Sequence, residues 1–218
     1  MKAEEIAFTL FFAGGKVRPV QIALNDDIGR KLENRALELG LALDEFLTKA
    51  IEQNSDKLIR PKVWMPREKW DALIRGGDCN DCAHLASGEN PHGYKVADLQ
   101  VSRLDLFKSQ FVPGCCILYF YRHVVEPYQL SAEECTLYFE DLMQAAQAIA
   151  EVFKPVKMNY QILGNGGPHL HCFLQPRFYG DSEPGWPIDP YKEQVILRPE
   201  EYQERVRAIQ RALEKVIH

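Results

Sequence analysis

The stretch His169-Leu170-His171-Cys172-Phe173-Leu174-Gln175 constrains this chain more than any other. Its residues alternate with the period of a β-strand, in which side chains at i and i+2 share a face. His169, His171, Phe173 and Gln175 are expected on one face, and Leu170, Cys172 and Leu174 on the other. Just ahead lies Gly164-Asn165-Gly166-Gly167-Pro168, a loop whose bare backbone amides can cradle an anion. Two co-facial histidines beside such a loop point to phosphorus chemistry. An isolated His-x-His reads more simply as two hydrogen-bonded histidines on a half-buried strand, so other residues have to decide.

Composition narrows the field. At 218 residues the chain can be one domain or two. Apolar residues make up 46% and charged residues 26%, the balance of a soluble globular protein. A net charge of −5 argues against broad nucleic-acid binding. No apolar run is long enough to span a bilayer, so no membrane partner is expected. Met1-Lys2-Ala3-Glu4-Glu5 is acidic, and no cleavage-site pattern follows the short apolar stretch to Phe12, so a signal peptide is not expected. Six cysteines without a secretory signal fit the reduced cytoplasm. There they bind metal or pack in a core rather than form disulfides.

The chain divides near the polar stretch Gln53-Asn54-Ser55-Asp56-Lys57 and the following Arg60-Pro61-Lys62. Residues 1–60 form one segment and 61–218 the other. In the first, Val20, Ile22 and Leu24 alternate as a strand. A helix capped by Asn25 or Asp26 runs to about Leu39, with Ile28, Leu32, Ala36 and Leu39 as its apolar positions. Gly40 ends it, and Asp44 caps a second helix carrying Phe46, Leu47, Ala50 and Ile51. This strand-helix-helix pattern resembles the ribbon-helix-helix fold over about residues 17–54. The resemblance implies dimerisation by strand pairing, in many members with DNA as partner. Gln21 and Ala23, flanked by Arg18 and Asn25, make a thin set of base readers. The apolar stretch Ile6 to Phe12, ending at Gly14-Gly15, can instead form a hairpin with the Val20 strand and compete with a dimer ribbon. DNA is therefore a partner to test, and dimerisation is favoured.

The second segment reads as α+β. Cys115 to Tyr121 is a buried strand. Ser131 with Glu134 makes a capping box for a helix to about Phe153, with Phe139, Leu142, Ala146, Ile149 and Phe153 as a core stripe. A last amphipathic helix between Arg198 and His218 carries Tyr202, Val206, Ile209, Leu213 and Val216 and docks on the domain.

Cys79-Asn80-Asp81-Cys82 follows Gly76-Gly77 and reads as a knuckle in a tight turn, half of a zinc site. The turn lacks the helix start that lowers a thiol pKa in redox pairs. His84, His92, His123, His169 and His171 are the candidates for the remaining ligands. His123 follows the Cys115–Tyr121 strand, and His169 opens the histidine strand. If those strands are neighbours, Cys79, Cys82, His123 and His169 close a structural Cys₂His₂ zinc site and leave His171 free.

These features together resemble the histidine triad (HIT) family, in its bacterial branch with a zinc knuckle. The match covers about residues 76–182. It rests on Cys79/Cys82, Val101-Ser102-Arg103, Pro113 through His123, and above all Asn159 through His171 followed by Pro176-Arg177. The resemblance implies an antiparallel sheet of about five strands with a flanking helix, assembled as a homodimer. It implies hydrolysis of nucleotide phosphoanhydrides, phosphoramidates or dinucleoside polyphosphates, or nucleotidyl transfer. In the motif His-φ-His-φ-His the middle residue is the nucleophile, here His171, which attacks the α-phosphorus to give a nucleotidyl-histidine. Asn165, Gly166 and Gly167 would hold the phosphate oxygens. The first motif histidine, here His169, is also a metal ligand in zinc-bearing members.

The third motif position departs from the family. It is Phe173, where His is usual, or Gln in the uridylyltransferase branch. Losing one transition-state donor costs ~10²–10³ in rate. Gln175 is one pleat further on, roughly 6.5 Å away, and does not substitute. Two readings follow: a nucleotide hydrolase or transferase acting through His171, and a catalytically weak nucleotide-binding sensor or dimeric regulator.

Overall fold

A computed structural model describes residues 6–10, 18–22, 26–59 and 64–217, with residues 6–10, 18–22 and 52–59 as backbone alone. The chain divides into two compact units, Met1–Trp64 and Met65–His218.

In the first unit, β1 (Ile6–Leu10) and β2 (Arg18–Ile22) pair antiparallel, Ile6 opposite Ile22. β2 is thus paired within its own chain, the arrangement that competes with an intermolecular ribbon. The helix α1 (Asp26–Glu38) buries Gly29 and Ala36, while Ile28, Leu37 and Leu39 stay exposed. It closes on a left-handed Gly40: Leu41 N–H donates to Ala36 O and Gly40 N–H to Leu37 O, both at 3.0 Å. The helix α2 (Leu43–Ile59) begins ahead of Asp44, which therefore lies in its first turn rather than at the cap. Gly14, Gly15, Ala23, Leu24, Asn25 and Arg60-Pro61-Lys62 lie outside the described residues.

The second unit opens with two short helices, α3 (Arg67–Ile74) and α4 (Asn80–Ser87). The strands β3 (Gly93–Asp98), β4 (Ser102–Phe107) and β5 (Cys116–Phe120) follow. After the long helix α5 (Ala132–Phe153) come β6 (Lys157–Gln161), β7 (His171–Arg177) and α6 (Pro199–Ile217). The sheet is five-stranded, ordered β3-β4-β5-β7-β6, and every neighbouring pair is antiparallel. This is the α+β architecture expected from the sequence.

Alternation along the strands makes two different faces. Leu104, Leu106, Leu118, Phe120, Cys172 and Leu174 meet the buried sides of α5 and α6 in the larger core. The opposite face carries Ile117, Tyr119 and Phe173, packed with Phe107, Val112 and Ile188.

α5 starts as the capping box requires. Ser131 Oγ accepts from Glu134 N–H at 3.1 Å, and Glu134 Oε2 accepts from Ser131 N–H at 2.9 Å. Its core side is set by Tyr138, Leu142, Ala145 and Ile149; Phe139, expected inside, is 48% exposed. α6 docks as expected, burying Tyr202, Ile209, Ala212 and Leu213. Between β7 and α6 the chain crosses the second face of the sheet. Arg177 holds its start, donating to both carboxylate oxygens of Asp181 (2.6 and 2.8 Å) and to Trp186 O (2.8 Å). Among the described residues no helix is long and apolar enough to cross a membrane.

Candidate functional site

β5 and β7 are neighbours, so the residues just past one and just before the other come together. Tyr119 lies opposite His171, and Phe120 N–H donates to Leu170 O at 3.0 Å. This pairing brings His123 and His169 to the same end of the sheet as the start of α4. The side-chain donors of Cys79, Cys82, His123 and His169 all lie within 4.8 Å of one another.

The distances match one tetrahedron. Cys79 Sγ is 3.5 Å from His169 Nδ1, and Cys82 Sγ is 3.4 Å from both His123 Nδ1 and His169 Nδ1. The two Nδ1 atoms are 3.3 Å apart. A zinc ion with ordinary Zn–S and Zn–N lengths has S···N edges of about 3.6 Å and an N···N edge of about 3.4 Å. The partners of the far nitrogens fix the tautomers. His169 Nε2–H donates to Phe120 O at 2.7 Å, and His123 Nε2–H donates to Ile74 O at 3.1 Å. Both Nδ1 lone pairs are therefore bare and aimed at a common point, as metal-bound histidines require. Burial pushes the His169 pKa down, which keeps it a neutral ligand. Burial, and then the nearby Cys79 thiol, push Cys82 up to about 12. Two S–H···N bonds would satisfy the nitrogens, but they do not require four donors to converge. The donor set fits zinc.

The local chain is shaped to deliver these groups. Cys79 is the N-cap of α4, so the knuckle does sit at a helix start, contrary to the turn expected from Gly76-Gly77. Asp78 ahead of it holds φ +56, a left-handed conformation that costs a residue with a Cβ about 1 kcal/mol. Gly76, at φ +82, lies under the His123 ring: a Cβ there would be 3.4 Å from His123 Cδ2.

His171 is set apart from this cluster. It opens β7, partly buried, and its Nδ1–H donates to the carbonyl of His169 at 2.8 Å. That bond leaves Nε2 as the bare, basic nitrogen. The ring lies 5.9 Å from that of Tyr119 and 5.7 Å from that of Phe173. Asn165 and Gly166 are exposed, and Gly167 is half-buried. A Cβ on Gly167 would be 3.7 Å from Asp81 Oδ2. The loop thus ends near Asp81, itself 3.9 Å from His171 Nδ1.

Phe173 is 5% exposed and packs edge-on against Phe107 and Tyr191, with ring centroids 5.6 and 5.9 Å away. Gln175 is fully buried, its amide donating to Ile188 O at 3.3 Å, so it does not stand in for a third motif residue. His84 and His92, both weighed as ligands, are not in the four-donor cluster; their rings pair with each other at 5.8 Å. Sequence reasoning passed over Asp81. Its signal is the i, i+3 spacing of Asp81 and His84, legible only once Cys79 is known to start a helix.

Neither a protein-family model nor a curated protein matches the sequence. Solved structures do. A histidine triad protein from Bradyrhizobium japonicum is 24% identical at a TM-score of 0.53, covering 56% of this chain and 91% of that one. One from Sinorhizobium meliloti 1021 is 20% identical at 0.53, covering 56% and 90%. One from Marinobacter aquaeolei VT8 is 26% identical at 0.51, covering 62% and 95%. The five-stranded antiparallel sheet with the helices packed on it has the histidine triad fold of these structures.

Proposed function

We propose that this protein is a nucleotide phosphohydrolase or nucleotidyl transferase acting through a nucleotidyl-histidine on His171. The observation that carries the reading is the 2.8 Å bond from His171 Nδ1–H to the His169 carbonyl, which turns a lone pair on Nε2 outward. In the first step Nε2 bonds to the α-phosphorus. The bond from phosphorus to the leaving group breaks, and its electron pair departs with that group. In the second step water attacks phosphorus, the N–P pair returns to Nε2, and the water's proton passes to solvent. Amides of Asn165, Gly166 and Gly167 serve the phosphate oxygens as charge moves onto them.

Zinc on Cys79, Cys82, His123 and His169 has a structural role in this reading. Four protein donors complete a tetrahedron and leave no open position for a substrate. What it supplies is a fixed join between α4 and the end of β7, holding the peptide unit that orients His171. Six free cysteines suit a reducing compartment such as the cytoplasm. β6 lies at an edge of the sheet, with Tyr160, Ile162 and Leu163 exposed along and just beyond it, which supports a homodimer.

The buried Phe173 favours a second reading, a nucleotide-binding sensor with slow chemistry. One experiment separates the two. Wild type and His171→Ala are incubated with adenine and guanine nucleotides and dinucleotides, quenched, and examined by mass spectrometry and product release. An adduct on His171 and turnover lost in the variant support the enzyme. Nucleotide binding by calorimetry, with equal background turnover in both proteins, supports the sensor and sinks the enzyme.

A further inference from the structure

Asp81 lies between the two cysteines of the knuckle, yet its carboxylate is not among the four converging donors. α4 carries it to the other side, toward His171. Its Oδ2 is 3.9 Å from His171 Nδ1, and its Oδ1 is 3.9 Å from His84 Nδ1. The three side chains are 16%, 14% and 17% exposed, so water screens them weakly. His84 Nδ1 is buried without a hydrogen-bond partner and faces this carboxylate. The Arg103 guanidinium, which donates to the His84 carbonyl at 3.2 Å, is paired with Asp105 through donors at 2.7 and 3.0 Å. The carboxylate charge therefore acts on the imidazoles around it, at 3.9 Å on His171 and His84 and further off on His169.

That placement suits the charge change at His171. When Nε2 bonds to phosphorus and the leaving group departs with its electron pair, the ring keeps its Nδ1 proton and gains one positive charge. A carboxylate 3.9 Å away stabilises this cation more than the neutral ring. Before reaction, the same charge favours the tautomer protonated at Nδ1. We propose that Asp81 is a positioning residue for His171, adding its charge to the His169 carbonyl's hold on the tautomer that turns Nε2 outward and countering the ring's charge, and that His84 orients Asp81. This rests on the nucleophile reading above.

The test uses the full chain labelled with ¹⁵N-histidine, as wild type, Asp81→Asn, Asp81→Glu and His84→Gln. The ¹⁵N shifts of His171 report its tautomer without any turnover. Wild type is expected to be protonated at Nδ1, and Asp81→Asn to show a clearly larger Nε2–H population. With diadenosine tetraphosphate as probe, Asp81→Asn should slow adduct formation ~10²-fold while changing nucleotide affinity little. Asp81→Glu should recover part of the rate, and His84→Gln should lose about tenfold, covering the case in which Asp81→Asn folds poorly. Bound metal should be the same in all four proteins. If wild type forms no adduct, the nucleophile reading fails, and the tautomer shift alone judges Asp81. An unchanged tautomer in Asp81→Asn overturns the proposal, and so does a rate loss matched by loss of affinity or of metal.

Discussion

Phe173 stands next in the alternation after His169 and His171, where the sequence resemblance implies a third polar residue, and its surroundings explain how the chain accommodates it. The ring makes edge-to-face pairs with Phe107 and Tyr191, and Ile188 is buried in the same cluster. Each aromatic pair contributes about 0.5–1.5 kcal/mol beyond its buried area. Phe173→His would give up these pairs, disturb the 5.7 Å contact with the His171 ring, and bury an imidazole among apolar groups. The expected cost is about 2–4 kcal/mol of stability, read from a denaturant midpoint. No gain in adduct formation is expected, because Tyr191, Phe107 and Ile188 already fill the space over the ring. A faster adduct in this variant would show that the third position is open to substrate. His171 differs from its neighbour in kind. Its ring borders the apolar cluster at Phe173 and Tyr119, while its Nδ1 is tied to a backbone carbonyl.

The loop joining β4 to β5 shows how an irregular element is held. Gln110 is 3% exposed and spans the loop from within: its amide donates to Phe107 O at 2.6 Å, and its Oε1 accepts from Gly114 N–H at 2.9 Å. Gly114 sits at φ +78, and a Cβ there would lie 2.6 Å from Phe153 Cδ2 at the end of α5. Gly114→Ala therefore meets both backbone strain and a ring that has to move. Thermal or chemical unfolding should register a loss of about 2–4 kcal/mol. A loss below about half a kcal/mol would mean that the loop and Phe153 yield easily. On α5, the capping box was legible in Ser131 and Glu134, because a cap is a local contact three residues long. Its inward face was not. Tyr138 and Phe139 are adjacent and both aromatic, so helical periodicity accepts either. The packing of Tyr138 against Phe120, with rings 5.5 Å apart, decides between them.

For the molecule as a whole, the four-donor cluster ties segments distant in sequence, from Cys79 to His169. Cys79→Ser should abolish binding of about one zinc per chain and lower the thermal midpoint, as metal analysis and calorimetry would show. A wild-type protein free of metal when purified without chelator would count against the site. Much of this was written locally. The alternation of residues 169–175, the Cys-x-x-Cys spacing and the helix periodicities follow from backbone geometry, which repeats every two or 3.6 residues whatever surrounds it. They determined the strand faces, the sheet-and-helix class and the candidate ligands. Periodicity carries no information about which strand lies beside which. Only the pairing of β5 with β7 brought His123 to His169, and only the start of α4 at Cys79 turned Asp81 toward His171. The irregular chain between β7 and α6 has no period at all, so the burial of Phe173 under Tyr191 and Ile188 was set by long-range packing, where apolar area is removed from water regardless of sequence distance.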